Sequence, residues 1–115
     1  MAETDLEISQ IVGGLDGSAS GYFKIGNMMI QWGITALITT SSGYGTWYYA
    51  DSAVTFPVAF KNPSTPTVIT SAGESAAMCW ASSYSITRTG FSARLLCPAT
   101  NITDYVKWVA IGLIA

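Results

Sequence analysis

Residues 78–97 read MCWASSYSITRTGFSARLLC. Two alternating runs sit in this stretch. Met78, Trp80, Ser82, Tyr84 and Ile86 alternate with the small residues Cys79, Ala81, Ser83 and Ser85. Phe91, Ala93, Leu95 and Cys97 alternate with Ser92, Arg94 and Leu96. Successive side chains of a strand point to opposite sides, so a period of two marks a strand with one buried face, whereas a helix repeats every ~3.6 residues. Thr89-Gly90 reads as a tight connection between the two. The stretch therefore predicts a pair of antiparallel strands.

The same signals extend outward. Met28, Ile30, Trp32 and Ile34 alternate with Met29, Gln31, Gly33 and Thr35. Gly26-Asn27 separates residues 22–25 from 28–36 and reads as a two-residue hairpin turn. Residues 41–45 (SSGYG), 61–66 (KNPSTP) and 98–104 are expected loops. Proline cannot donate to a ladder, which keeps the second of these out of a central strand. The result is an all-β chain, an antiparallel β-sandwich of about six to eight strands spanning residues 21–115. Residues 105–114 differ, because apolar side chains occupy both phases beyond Lys107. Such a strand is covered on both sides. One cover is the core; the other is a neighbouring subunit or a loop of the same chain. Residues 1–20 read as a stem or linker. Leu6, Ile8, Ile11, Val12 and Leu15 have the spacing of a short amphipathic helix ended by glycines from Gly13.

Composition narrows the function classes. Half of the 115 residues are hydrophobic and only 10% are charged, against roughly 25% in an average soluble domain. So little charge points to surface shared between copies of the chain. The net charge is −2, with no basic run, which disfavours a phosphate-contacting nucleic-acid surface. No apolar stretch approaches the roughly 20 residues of a membrane-spanning helix. MAETDLEISQ at the N-terminus lacks the apolar core of a secretory signal, so synthesis in a cytoplasm is expected. Cys79 and Cys97 do not amount to a disulfide framework. They are expected as reduced, small buried hydrophobes, with a bridge as the alternative.

The chain has no His, the commonest general base and metal ligand. Beyond residue 20 the acids are Asp51, Glu74 and Asp104, expected as solvated groups in or beside loops. No two are close in sequence, so no glycosidase-type pair is expected. No cofactor, metal cluster or phosphate loop is expected either. Aromatic residues remain: Tyr44, Trp47, Tyr48 and Tyr49 crowd into and after a Gly/Ser loop. On a strand Trp47, Tyr49 and Asp51 share one face, and Tyr48 and Ala50 the other. Exposed rings beside hydrogen-bonding groups hold sugars, the C–H face of the sugar stacking on the ring. The candidate ligand-binding residues are Tyr44, Trp47, Tyr49 and Asp51, with Tyr84, Arg88, Asn101 and Asp104 at a second tip. Trp32, Trp80 and Trp108 are expected in the core or an interface.

Four pieces in order, GYFKI (21–25), IQWG (30–33), VTFPVAF (54–60) and WVAIG (108–112), resemble the C-terminal head domain of phage tail fibres. That family shows GYxKxxNGxxIQWG, VTFPxAF and W(I/V)AIG. Gly26-Asn27-Met28 departs from its usual Asn-Gly turn. The second half is also similar to the H-type lectin domain, through Phe60, residues 66–68, 86–87, 89–91 and 108–112. These resemblances imply an antiparallel sandwich, a homotrimer and a place in the virion tail; that the chain is not an enzyme is expected from the missing His and the scattered acids. They imply that the head recognises a bacterial surface polysaccharide or lipopolysaccharide, with residues 1–20 possible contacts to other virion tail proteins. The alternative is a trimerisation or fibre-capping domain without a ligand. With no His, no lectin sugar site carries over residue by residue.

Overall fold

The computed structural model describes residues 8–12, 20–61, 64–72 and 78–114. The chain enters at β1 (Ile8–Val12), which pairs antiparallel with β2 (Gly21–Ile25). Gly26-Asn27 then turns β2 into β3 (Met28–Ile34), with Ile25 opposite Met28 as the two-residue hairpin requires. Gly26 sits at φ +59°, a conformation that glycine adopts without strain. There follow β4 (Ile38–Thr39), β5 (Ser42–Tyr44), β6 (Trp47–Thr55), β7 (Thr67–Ala72), β8 (Trp80–Tyr84), β9 (Gly90–Cys97), β10 (Thr103–Asp104) and β11 (Val106–Leu113). One sheet runs β1-β2-β3-β11-β7, a second runs β5-β6-β9-β8, and β10-β4 make a short third ladder. All pairings are antiparallel. The all-β antiparallel architecture expected from the alternation is present.

Three local expectations change. Ile8–Val12 is a strand, not the turn of helix that its apolar spacing allowed, because pairing with β2 satisfies its backbone groups; residues 1–7 and 13–19 lie outside the described residues. Within 41–45, Ser42–Tyr44 is strand β5 and the turn is Gly45-Thr46. The connection between β8 and β9 is Ser85 to Thr89 rather than a tight dipeptide. There the Thr87 hydroxyl accepts from the amides of Thr89 and Gly90 at 3.3 and 3.2 Å.

The core lies between the two large sheets. Met29, Val106, Trp108 and Ala110 come from one, and Phe91, Ala93, Leu95 and Cys97 from the other. The segment after β6 inserts Phe56 and Phe60. Phe56 meets Phe60 edge-on at 5.1 Å, Phe91 at 5.7 Å and Trp108 at 5.6 Å between ring centroids. Burying each such ring contributes up to about 3 kcal/mol. Gln31 is fully buried beside them and uses its whole amide on one residue. Its Nε2 donates to the Val58 carbonyl at 2.6 Å, and its Oε1 accepts from the Val58 amide at 3.0 Å. Gly33 lies opposite Trp108 on β11, where a Cβ would stand 2.6 Å from the indole. The IQWG and VTFPVAF pieces are thus the two halves of one packing arrangement.

The cysteines also differ from expectation. Cys79 and Cys97 form a disulfide with Cα atoms 4.3 Å apart. The register explains it. Trp80 opposes Leu96 and Ala81 opposes Leu95, so the next rung outward sets Cys79 against Cys97. Both sulfurs fall on the inward phase.

Alternation is observed, but its polarity is reversed in two strands. On β3 the inward phase is Met29, Gln31 and Gly33, and the more apolar Ile30, Trp32 and Ile34 point outward. On β8 the small Ala81 and Ser83 point inward, leaving Trp80 and Tyr84 exposed. On β11, Val106, Trp108 and Ala110 are buried, whereas Val109 and Leu113 are exposed on the other side. No loop among the described residues covers that side. Phe23, Ile30, Trp32, Ile69 and Val109 there line an open groove of about 420 Å³.

Candidate functional site

The outer face of the second sheet is built from three strands in register. Tyr49, Leu96 and Trp80 form one row across β6, β9 and β8; Asp51, Arg94 and Ser82 form the next. Directly opposed residues share a face, so every one of these side chains points away from the core. Trp47, one row further along, stacks on Trp80 with centroids 5.3 Å apart and planes 27° from parallel. Trp80 keeps 62% of its surface exposed. Tyr44 opposes Trp47 on β5 and is 70% exposed.

Polar groups sit beside this ridge. Arg94 donates from Nε to Asp51 Oδ1 at 2.8 Å and from Nη2 to Asp51 Oδ2 at 3.0 Å, a bidentate pair. Tyr84 donates its hydroxyl to Asp51 Oδ2 at 2.6 Å. The guanidinium carbon lies 4.1 Å from the Tyr49 ring centroid and 4.9 Å from that of Tyr84. The hydrogen bond from Arg94 holds the Asp51 carboxyl below the ordinary carboxylate range; partial burial opposes this, and the Tyr84 hydroxyl and the Arg94 charge reinforce it. The same bond raises the Arg94 pKa. The pair is ionised across all neutral conditions and rigidly placed. Chemically, such a face offers flat rings, hydroxyls and an oriented ion pair.

Five of the residues singled out in the sequence meet here: Tyr44, Trp47, Tyr49, Asp51 and Tyr84. Arg88, Asn101 and Asp104 have other placements. Arg88 is exposed in the β8–β9 connection, where its carbonyl accepts from the Phe60 amide at 2.8 Å. Asn101 holds φ +60° in the turn after β9. Asp104, expected as a solvated loop acid, is 4% exposed on β10, and its Oδ1 accepts from the Tyr105 amide at 2.8 Å. Glu74 lies outside the described residues. Among the described residues no three acids or cysteines are grouped to hold a metal.

Arg94 was not singled out in the sequence, and Trp80 was assigned to the core or an interface. Both were reachable from register. Arg94 lies in the polar phase of its run, and a hairpin that faces Cys79 with Cys97 also aligns Trp80 and Tyr84 with that phase. The missing information was which phase faces out.

One family model matches the chain. Residues 22–113 match the family model described as "Putative tail fiber protein gp53-like, C-terminal". No curated protein sequence matches. Two solved structures share the fold at a TM-score of 0.64 and 20% identity, each over 96% of this chain. One is the C-terminal part of the Pseudomonas aeruginosa R1 pyocin fibre, of which this chain spans 29%. The other is an N-truncated R1-type pyocin tail fibre, of which it spans 88%. The matched residues include all four motif pieces apart from Gly21, and both faces of the sandwich, so the chain belongs to the family of gp53-like tail fibre C-terminal domains.

Proposed function

We propose that this chain is a virion tail-fibre tip that trimerises and recognises a bacterial surface glycan, in lipopolysaccharide or capsule, during host adsorption. The observation that carries the reading is the Trp47–Trp80 stack, exposed beside the Asp51–Arg94–Tyr84 cluster. Family membership supplies the setting. An exposed indole next to directed donors and acceptors is the arrangement that sugar recognition uses. The second large sheet serves the ligand. The first, with its apolar outer groove, serves self-association, and residues 1–20 serve attachment to other tail proteins. Catalysis has no part in the proposal: the Asp51 carboxylate is engaged by Arg94 and Tyr84.

The test is adsorption of the purified, fluorescently labelled chain to host cells. Trp80→Ala is expected to reduce cell-bound protein at least about tenfold, in line with the loss of a binding hot spot, with an unchanged strand signal in circular dichroism. A second reading, a fibre-capping domain with no ligand, is favoured by the apolar groove alone. It predicts trimers that adsorb to no cells and a Trp80→Ala variant indistinguishable from the parent.

A further inference from the structure

Among the described residues the candidate face carries one carboxylate and one guanidinium, and each is used on the other. Every other outward position of β6, β8 and β9 is aromatic, aliphatic or hydroxyl-bearing. Arginine recognises carboxylates and phosphates through its planar fork of N–H groups. Here the fork is taken: Nε and Nη2 both donate to Asp51. The rings of Tyr49 and Tyr84 stand against the guanidinium at 4.1 and 4.9 Å, which limits approach to it. An anionic group of a ligand would also meet the Asp51 charge at close range, and like charges repel. What stays open is the exposed surface of Trp80, the hydroxyl of Ser82, the acceptor lone pairs of the Tyr84 hydroxyl, and Arg94 N–H groups that Asp51 does not use. These suit the C–H faces and hydroxyls of an uncharged sugar.

We infer that this face selects uncharged, hydroxyl-rich saccharide segments over anionic ones, with Asp51 standing in the position that a ligand carboxylate or phosphate would otherwise take. The inference rests on the glycan-binding reading above and names its ligand class. It places recognition on neutral repeats of a surface polysaccharide and away from uronic-acid or phosphate-bearing segments.

The test uses an array of purified bacterial O-antigen and capsule polysaccharides of known repeat composition, printed as an uncharged set and an anionic set. The parent chain is expected to bind members of the uncharged set only, with signals changing less than about twofold as NaCl rises from about 50 to about 500 mM, since no ionic contact with the ligand is screened. Asp51→Asn frees the Arg94 fork. It is expected to raise signals on the anionic set about tenfold, a gain that salt removes. Asp51→Asn combined with Arg94→Gln has no net charge to offer and is expected to lose that gain. Circular dichroism of both variants verifies folding, and the parent's salt series stands without them. Parent signals on anionic spots that collapse with salt would overturn the selectivity and leave glycan binding standing. A folded Asp51→Asn variant with no gain would overturn the role given to Asp51. No signal on any spot would overturn the glycan-binding reading and this inference with it.

Discussion

Two side chains, the buried Gln31 and the exposed Asp51, set the character of the molecule, and each makes a measurable claim. Gln31 is fully buried and is fastened to both backbone groups of Val58. Gln31→Leu keeps the volume but strands a buried N–H and C=O, so it is expected to cost roughly 2–3 kcal/mol. A lowered urea midpoint at unchanged slope would show it. Asp51 makes the second claim. Its folded pKa is lowered, first by the hydrogen bond from Arg94. A lowered carboxyl pKa stabilises the fold above the unfolded value, near pH 4, and that contribution disappears as pH falls through the folded value. The environment of Trp47 and Trp80 is thus expected to stay constant from pH 8 to about 5 and to loosen only below about 4. Tryptophan fluorescence through an acid titration measures this. A transition near neutrality would contradict the ion pair.

At the scale of elements, the hairpin β8–β9 does most of the positioning. It is closed at one end by the Thr87 turn and at the other by Cys79–Cys97. The bridge lies on the inward side of the rung next to Trp80–Leu96, so it pins the strand that presents Trp80. With the two cysteines 18 positions apart, its removal is expected to cost roughly 3 kcal/mol. Urea unfolding of the Cys79→Ser/Cys97→Ser variant against the oxidised parent measures that cost. Gly90 is a further constraint, because a Cβ there would stand 2.2 Å from the Val54 carbonyl oxygen. The clash is with backbone, so Gly90→Ala must push β6 and β9 apart at the start of their ladder and is expected to lower the thermal midpoint by several degrees. A differential scanning trace equal to the parent's would argue against that contact.

At the scale of the whole molecule, the two sandwich faces have different chemistry and invite different partners. The first sheet turns Ile30, Trp32, Ile69 and Val109 outward around an apolar groove. If that face joins the subunits, Ile69→Glu with Val109→Lys is expected to yield single chains in sedimentation. The two sites are directly opposed across β7 and β11, so the opposite charges keep the ladder intact. An unchanged assembly mass would move the interface elsewhere. What the sequence by itself determined is the main strands β2, β3, β6, β8, β9 and β11: the period of two, the Gly26-Asn27 turn and the clustered aromatics of β6 are local signals, and local backbone geometry obeys them. By contrast, β1, β5 and β10 fall in stretches read as helix or loop and exist only through their pairing partners. The polarity of each strand was decided only by tertiary structure. Trp32 and Trp80 sit in apolar phases that face outward, because the inner surface beside Phe56, Phe60, Phe91 and Trp108 takes Met29, Gln31 and Gly33 from β3 and the small Ala81 and Ser83 from β8. The joining of Arg94 to Asp51 and of Cys79 to Cys97 was settled the same way. Side chains 43 and 18 positions apart meet only when register aligns their strands, and register is a property of the paired sheet rather than of either strand alone.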